Sequence, residues 1–216
     1  MKVTRLETLR CDAGWRTFSF LKVTTDEGIV GWSEYNESFG SAGLSQVIEA
    51  LAPVVIGKDP RQIELVNAHL RTQTVPSRGG INRQAIGAIE NALLDIKGKA
   101  LGVPVYELFG GPVRTRIPVY WSHCGSYRAR YPELLGVPRV KSYDDLARLG
   151  EEVRTRGFRA LKTNVMISDG KTLAAYRPGF GYSKGYPELN WDADIVKAAY
   201  ETAAAFRAGA GPSMGI

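Results

Sequence analysis

The sequence has 216 residues, enough for one large domain or two small ones, and its 44% hydrophobic fraction is typical of a globular protein. The net charge of +6 comes from Lys and Arg residues scattered along the chain, a pattern that does not indicate nucleic-acid binding. Two distant cysteines give neither a disulfide framework nor a metal spacing, and no apolar stretch nears the ~20 residues of a membrane span. We therefore expect a cytoplasmic protein without nucleic-acid or membrane partners.

The first 35 residues predict three β-strands. A β-rich run ends at Asp26-Glu27-Gly28, a short hairpin turn in which glycine tolerates positive φ, and Ile29 begins the returning strand. Loops are predicted over Cys11–Arg16, within this region, and over Asn36–Ala42, directly after it. The pattern indicates a small sheet with two connecting loops.

Three helices are predicted next. Apolar residues recur at helical spacing from Leu44 to Leu51, and Pro53 ends or kinks that helix. Asp59-Pro60 predicts the start of a second helix, with an N-cap followed by proline. A long third helix opens near Asn82 and stops at Gly102. Strands and helices together predict an α+β domain over residues 1–111.

After residue 111 strands and helices alternate. Ile117–Ser122 predicts a strand, Ser142 caps a helix closed by Gly157, and Phe158–Val165 predicts a second strand. A long loop is predicted from Met166 to Leu189. Asn190 then caps a helix over Trp191–Ala208 that Gly209 closes, and residues 214–216 read as the beginning of a third strand.

Strands alternating with helices predict βαβ units and a parallel sheet. Because right-handed crossovers bring the carboxyl ends of parallel strands to one rim, His123 and Lys162–Asn164 are expected to lie together there. Residues 112–216 supply too few strands for a closed eight-stranded barrel. We therefore expect a truncated gene product, an excised piece or one part of a split chain.

Several separate segments resemble the mandelate racemase/muconate lactonizing enzyme family of the enolase superfamily. They are residues 27–34 (EGIVGWSE), residues 88–111 (AIENALLDIKGKALGVPVYELFGG) and residues 157–162 (GFRALK). The resemblance implies a capping domain over residues 1–111, followed over 112–216 by the start of a (β/α) TIM-type barrel. It also implies Mg²⁺, held by carboxylates on barrel strands beyond residue 216, and abstraction of the proton α to a substrate carboxylate.

The resemblance also suggests roles for the residues at the predicted rim. Lys162 matches the first lysine of the family's K-x-K motif, near the substrate carboxylate and the base, whereas Asn164 replaces the second lysine and cannot abstract a proton. This difference favours a sugar-acid dehydratase over a racemase or epimerase. His123 is predicted to contact substrate or relay a proton.

Further substrate contacts are predicted on the loops. Trp15, Arg16 and Phe39 lie on the two capping-domain loops that set specificity in the family, and Arg177 of the long loop is a candidate to hold an acid sugar. No metal ligand is predicted in this segment, so we expect the chain alone to be inactive. The expected partners are a small carboxylate substrate and further copies in a homo-oligomer; a non-catalytic segment that only associates with other chains is the remaining alternative.

Overall fold

The computed structural model describes residues 1–38, 41–177 and 192–216. The chain divides into two compact units, Met1–Thr115 and Arg116–Ile216. The domain boundary predicted between residues 111 and 112 lies close to this division. Within the described residues, no helix combines the length and the apolar character that crossing a membrane requires.

The first unit contains a three-stranded antiparallel sheet in the order β1-β2-β3. Its strands are β1 (Val3–Asp12), β2 (Thr17–Thr25) and β3 (Val30–Tyr35). Leu21 and Val23 alternate with less buried neighbours along β2, because successive side chains point to opposite faces of a strand. The predicted strands and hairpin are confirmed, except that β1 continues to Asp12 and shortens the predicted loop.

Three helices pack on the buried side of this sheet, two of them directly against its strands and the second of them against the other two helices. They are α1 (Leu44–Val55), α2 (Ile63–Gln73) and α3 (Gly80–Leu101). Gly31 of β3 allows α3 to approach closely, since a Cβ there would lie 2.2 Å from the carbonyl oxygen of Ala92. The sheet and helices share one buried apolar core, built as the helical spacing predicts.

The predicted starting point of α2 is wrong. Asp59 accepts hydrogen bonds from the backbone and side chain of Arg61, and its own carbonyl accepts the Gln62 N–H. These bonds make a turn before the helix, which begins only at Ile63. Pro53 lies inside α1 rather than at its end.

The second unit contains four helices and a short hairpin within its described residues. In chain order these elements are α4 (Ser126–Arg130), α5 (Pro132–Leu135), α6 (Tyr143–Thr155), β4 (Met166–Ser168), β5 (Leu173–Ala175) and α7 (Ala193–Ala210). Ser142 forms the predicted cap of α6 as half of a capping box with Asp145. Leu146 and Val153 of α6 share a buried core with Phe206 of α7.

The two predicted strands of this unit are reduced to isolated parallel bridges. Trp121 pairs with Leu161 and Ala160 pairs with Gly215, so three short segments run in the same direction. The predictions of continuous strands over Ile117–Ser122 and Phe158–Val165 are therefore wrong in length. The predicted parallel direction is confirmed at these bridges.

Two further predictions in the second unit need correction. The loop from Met166 contains the antiparallel hairpin β4–β5, because Asp169 accepts the N–H groups of Lys171 and Thr172 and thereby closes a tight turn. Helix α7 begins at Ala193 under an Asp192 cap, not at Trp191. Asn190 lies outside the described residues.

Gly209 does not close α7. It lies inside the helix, where a Cβ would come within 1.7 Å of the carbonyl oxygen of Ala147 on α6. Gly150 of α6 makes a similar close approach to α7, with a Cβ position 2.7 Å from the carbonyl oxygen of Phe206. Paired glycines therefore set the spacing between the two helices.

Candidate active site

The parallel bridges bring the candidate residues of the second unit to one edge. Trp121 N donates to Ala160 O at 3.1 Å, and Lys162 N donates to Trp121 O at 2.8 Å. One step further along, Cys124 N donates to Lys162 O at 2.8 Å. The two neighbouring segments that contain Trp121 and Leu161 both end at this edge. His123 and Asn164 lie just after the ends of these segments.

His123 occupies an unusual backbone conformation. Its φ of 52° is the only positive value among the described non-glycine residues. Its imidazole ring stacks on Tyr127, with ring centroids 4.8 Å apart and an interplanar angle of 21°. Left-handed backbone is disfavoured for L-residues, so the surrounding contacts must hold this turn.

Asn164 lies within hydrogen-bond range of both His123 and Ser126. Its Oδ1 accepts from Ser126 Oγ at 2.8 Å and lies 3.4 Å from His123 Nδ1. An amide oxygen can only accept, so this amide orientation favours the imidazole tautomer with hydrogen on Nδ1. The His123 Nε2 is then the basic nitrogen. We refer to His123, Ser126, Tyr127 and Asn164 as the rim cluster.

Lys162 lies beside the rim cluster but takes no part in its hydrogen bonds. Its side chain is exposed, whereas the preceding Leu161 is buried. The backbone around it is fixed, since Thr163 Oγ1 donates to Cys124 O at 2.8 Å. Lys162 therefore presents an exposed cation from a hydrogen-bonded segment, a suitable arrangement for attracting a carboxylate.

The candidate residues of the first unit form their own cluster on the loop between β1 and β2. Arg16 donates to Glu34 Oε1 at 2.7 Å, and its guanidinium lies 3.8 Å from the ring centroid of Phe18. Trp15 meets Phe18 edge-on at 5.5 Å. This arrangement leaves the Arg16 Nε buried without a hydrogen-bond partner. Phe39 lies outside the described residues.

Glu37 anchors the loop before α1 and was not among the predicted site residues. Its carboxylate accepts from the N–H groups of Gly43 and Ser45 and from Arg10 Nη2. Burial opposes ionisation of Glu37, but hydrogen bonds from Ser45 and the charge of Arg10 outweigh it and hold its pKa below the ordinary value. The sequence does not indicate this capping role of Glu37. Glu37 lies six residues before Gly43, the N-cap residue of α1, and side chains usually cap a helix from the N-cap position itself.

Arg177 borders a cavity of about 370 Å³ in the second unit. Arg130 and Arg139 line the same cavity, together with Ser126 and Tyr127 of the rim cluster. The hairpin β4–β5 supplies another wall. The structure therefore gathers arginines from three separate stretches of sequence around one cavity.

A metal site was not found in the described part of the chain. Across residues 1–38, 41–177 and 192–216, no three His, Cys, Asp or Glu side chains gather in a way that could hold a metal ion. The described residues by themselves do not form a Mg²⁺ site.

Known proteins are similar to this chain in both sequence and fold. Residues 8–110 match the family model of the mandelate racemase / muconate lactonizing enzyme N-terminal domain. A D-galactonate dehydratase of Xanthomonas axonopodis pv. citri is 46% identical over 120 residues, which are 56% of this chain and 31% of the relative. A D-galactonate dehydratase of Variovorax paradoxus is 44% identical over the same shares of the two chains.

Solved structures match nearly the whole chain. A provisionally named L-alanine-DL-glutamate epimerase from Burkholderia xenovorans strain LB400 superposes with a TM-score of 0.92 at 47% identity, covering 99% of this chain and 54% of the other. A second structure of that protein, bound to magnesium and fumarate, gives 0.91 at 47% identity over 99% and 53%. A provisionally named dehydratase from Mesorhizobium loti gives 0.78 at 31% over 99% and 52%.

The first unit thus has the fold of an enolase-type capping domain, a small sheet covered by helices. Residues 8–110 form a mandelate racemase / muconate lactonizing enzyme N-terminal domain of the enolase superfamily, and this part of the chain resembles acid-sugar dehydratases. The chain spans about half the length of the solved structures that it matches. It covers 31% of the curated relatives.

Proposed function

We propose that this chain is the N-terminal half of a sugar-acid dehydratase. The observation that carries the proposal is Asn164, held by Ser126 in the rim cluster at the position where the family's second lysine would stand. An amide cannot take a proton from carbon but can donate its N–H groups to a substrate hydroxyl. D-galactonate dehydratases among the curated relatives support the same reaction.

The proposed reaction removes water from a polyhydroxy acid. A base takes the proton α to the carboxylate, the C–H electron pair forms the enol double bond, and the β-hydroxyl departs with an added proton as water. Lys162 is proposed to attract the substrate carboxylate. His123 is proposed to relay a proton through Nε2, since Asn164 orients the ring through Nδ1.

The remaining predicted contacts are proposed to bind the sugar. Trp15, Arg16 and Phe39 contact the substrate from the capping loops, and Arg177 does so from the second unit. In the proposed full enzyme, carboxylates from further sequence would hold Mg²⁺, which would supply positive charge beside the substrate carboxylate. The proposed barrel of the second unit is completed by the same additional sequence, and the full enzyme is a cytoplasmic homo-oligomer.

Two alternatives have specific support. The 47% identity to a provisionally named epimerase favours an epimerase that returns the α-proton instead of losing water. Exposed apolar residues at the start of the second unit, Ile117 and Val119 at 77% and 70% exposure, favour a non-catalytic segment that associates with another chain.

The test uses the full-length protein and a panel of aldonates and aldarates with Mg²⁺. A dehydratase produces a 2-keto-3-deoxy acid, which reacts with semicarbazide. An epimerase instead exchanges the α-proton in D₂O without forming a keto acid. Failure of both reactions across the panel contradicts the enzymatic proposal. Turnover by the 216-residue chain alone contradicts the expectation that it is inactive.

A further inference from the structure

A cavity of about 260 Å³ in the first unit has a cationic lining. Arg71, Arg78 and Arg83 all border it, and no Asp or Glu is among the described residues that line it. The side chains of these three arginines form no ion pair or hydrogen bond with any residue in the described part of the chain. Guanidinium groups keep their charge at every physiological pH, so three of them around one cavity repel each other. An anion in the cavity would relieve this repulsion.

Other arginines of the first unit have carboxylate partners. Arg10, Arg16 and Arg61 each form a salt bridge, at 2.9, 2.7 and 2.7 Å. Arg71 lies in the last turn of α2, where the helix dipole favours a cation, but Arg83 lies at the start of α3, where the dipole opposes one and the first turn carries no acidic residue. Within the described residues, Arg83 therefore has neither a carboxylate partner nor a favourable helix end.

The backbone that carries the three arginines is held by local hydrogen bonds. Thr74 Oγ1 donates to the carbonyl oxygen of Leu70 at 3.1 Å, which fixes the turn that follows α2. Asn82 Nδ2 donates to the carbonyl oxygen of Ser77 at 2.8 Å, which ties the segment before Arg78 to the start of α3. Because the backbone is already ordered, binding an anion needs to order only side chains.

The size and the lining of the cavity suit a phosphoryl group. Its volume is smaller than the ~300–1,000 Å³ typical of sites that enclose a whole small molecule, so it fits a head group better. Ile86 is buried and apolar at the cavity wall, and such a wall strengthens electrostatic attraction by excluding water. A phosphoryl group concentrates up to about two negative charges on three acceptor oxygens, which matches three guanidinium groups better than a single carboxylate does.

We propose that Arg71, Arg78 and Arg83 form a phosphoryl-binding site on the first unit, which takes the phosphate group of a small phosphorylated molecule. The site shares no residue with the rim cluster. It does not depend on the proposed dehydratase reaction, and its test measures binding alone. Failure of this proposal is therefore distinguishable from a lack of dehydratase activity.

The experiment titrates the 216-residue chain with inorganic phosphate and, separately, with malonate. Calorimetry gives the dissociation constant, arginine Nε–H resonances report the site, and sodium chloride holds the ionic strength constant. Saturable phosphate binding is expected, with malonate binding weaker by about 10-fold or more. Absence of saturable phosphate binding, or malonate binding as tight as that of phosphate, overturns the proposal.

Two variants and one control locate the binding. Arg78→Gln and Arg83→Gln are each expected to weaken phosphate binding by about 10-fold or more, the loss of one charge-assisted hydrogen bond. Arg83→Gln removes a cation from the positive end of α3, so it should keep the fold and remain informative if Arg78→Gln unfolds. Arg114→Gln changes an exposed arginine of the same unit outside the cavity and is expected to bind phosphate normally. Equal weakening in Arg114→Gln would show general charge attraction and overturn the site.

Discussion

Gly209→Ala tests whether close helix contact governs the stability of the second unit. The new Cβ would lie 1.7 Å from the Ala147 carbonyl oxygen and 2.6 Å from its carbonyl carbon, whereas real Cβ contacts under 3.0 Å essentially do not occur. Because backbone blocks the methyl group, α6 and α7 must separate locally by at least 1.3 Å, the difference between 3.0 and 1.7 Å.

The separation disturbs a well-packed interface. Phe206 of α7 and Leu146 of α6 are fully buried in the shared core, so they lose close contacts when the helices move. Overpacking typically costs about 1–3 kcal/mol and sometimes more, and a backbone clash lies at the high end. Alanine regains up to about 1 kcal/mol of helix propensity. We expect a net loss of about 2–3 kcal/mol.

Thermal unfolding by circular dichroism and hydrogen exchange of the α6 and α7 peptides measure the effect. A loss of 2–3 kcal/mol should lower the Tm of a ~100-residue unit by about 10–20 °C. Gly87→Ala is the matched control, since Gly87 lies inside α3 and its Cβ would meet nothing within 4 Å. The control should be neutral or stabilised by up to about 1 kcal/mol. Unchanged stability of Gly209→Ala would refute the reasoning.

Three further predictions follow from buried contacts. Glu37→Gln should lower the free energy of unfolding in urea by about 1–3 kcal/mol, because it removes charge-assisted hydrogen bonds at the start of α1. Since folding depresses the Glu37 pKa, this stabilisation is present above the ordinary Glu pKa and disappears as pH falls through the lowered value. Ser126→Ala should cost about 1 kcal/mol and change the imidazole ¹⁵N shifts of the histidine beside Asn164. Burial raises the pKa of Cys124 to about 12, so iodoacetamide at neutral pH should modify the exposed Cys11 and reach Cys124 only after unfolding.

Each of these predictions has a control and a contradicting result. Glu64→Gln changes an exposed carboxylate and should shift stability by less than about 0.5 kcal/mol; an equal loss would refute the capping role of Glu37. Ser122→Ala, at an exposed serine near the rim, should leave the histidine shifts unchanged. Rapid modification of both cysteines in the native chain would contradict the burial of Cys124.

The architecture of the first unit could be predicted because its determinants are local. Alternation in β2 and the apolar stripe of α3 each specify one buried face. The start of α2 was missed because an Asp-Pro pair suits both an N-cap and a turn, and the bonds from Arg61 select the turn.

The candidate site was harder to predict because its contacts join distant residues. The alternation of strands with helices predicted a parallel sheet with His123 and Asn164 at one edge. Nothing in the sequence indicated that Ser126 would donate a hydrogen bond to the Asn164 side-chain amide. The cavity in the second unit joins arginines from α4, the segment before α6 and the residues after β5, whose proximity depends on tertiary packing. The role of Gly209 likewise becomes visible only beside its partner helix.

The left-handed backbone at His123 affects how its chemistry should be dissected. Holding a non-glycine residue there costs roughly 1–3 kcal/mol, so substitution by alanine or a β-branched residue would mix local strain with loss of the imidazole. Glycine would relax the turn and raise stability, which could mask a functional defect. Asparagine tolerates this conformation while lacking a titratable ring, so His123→Asn isolates the proposed proton-relay role.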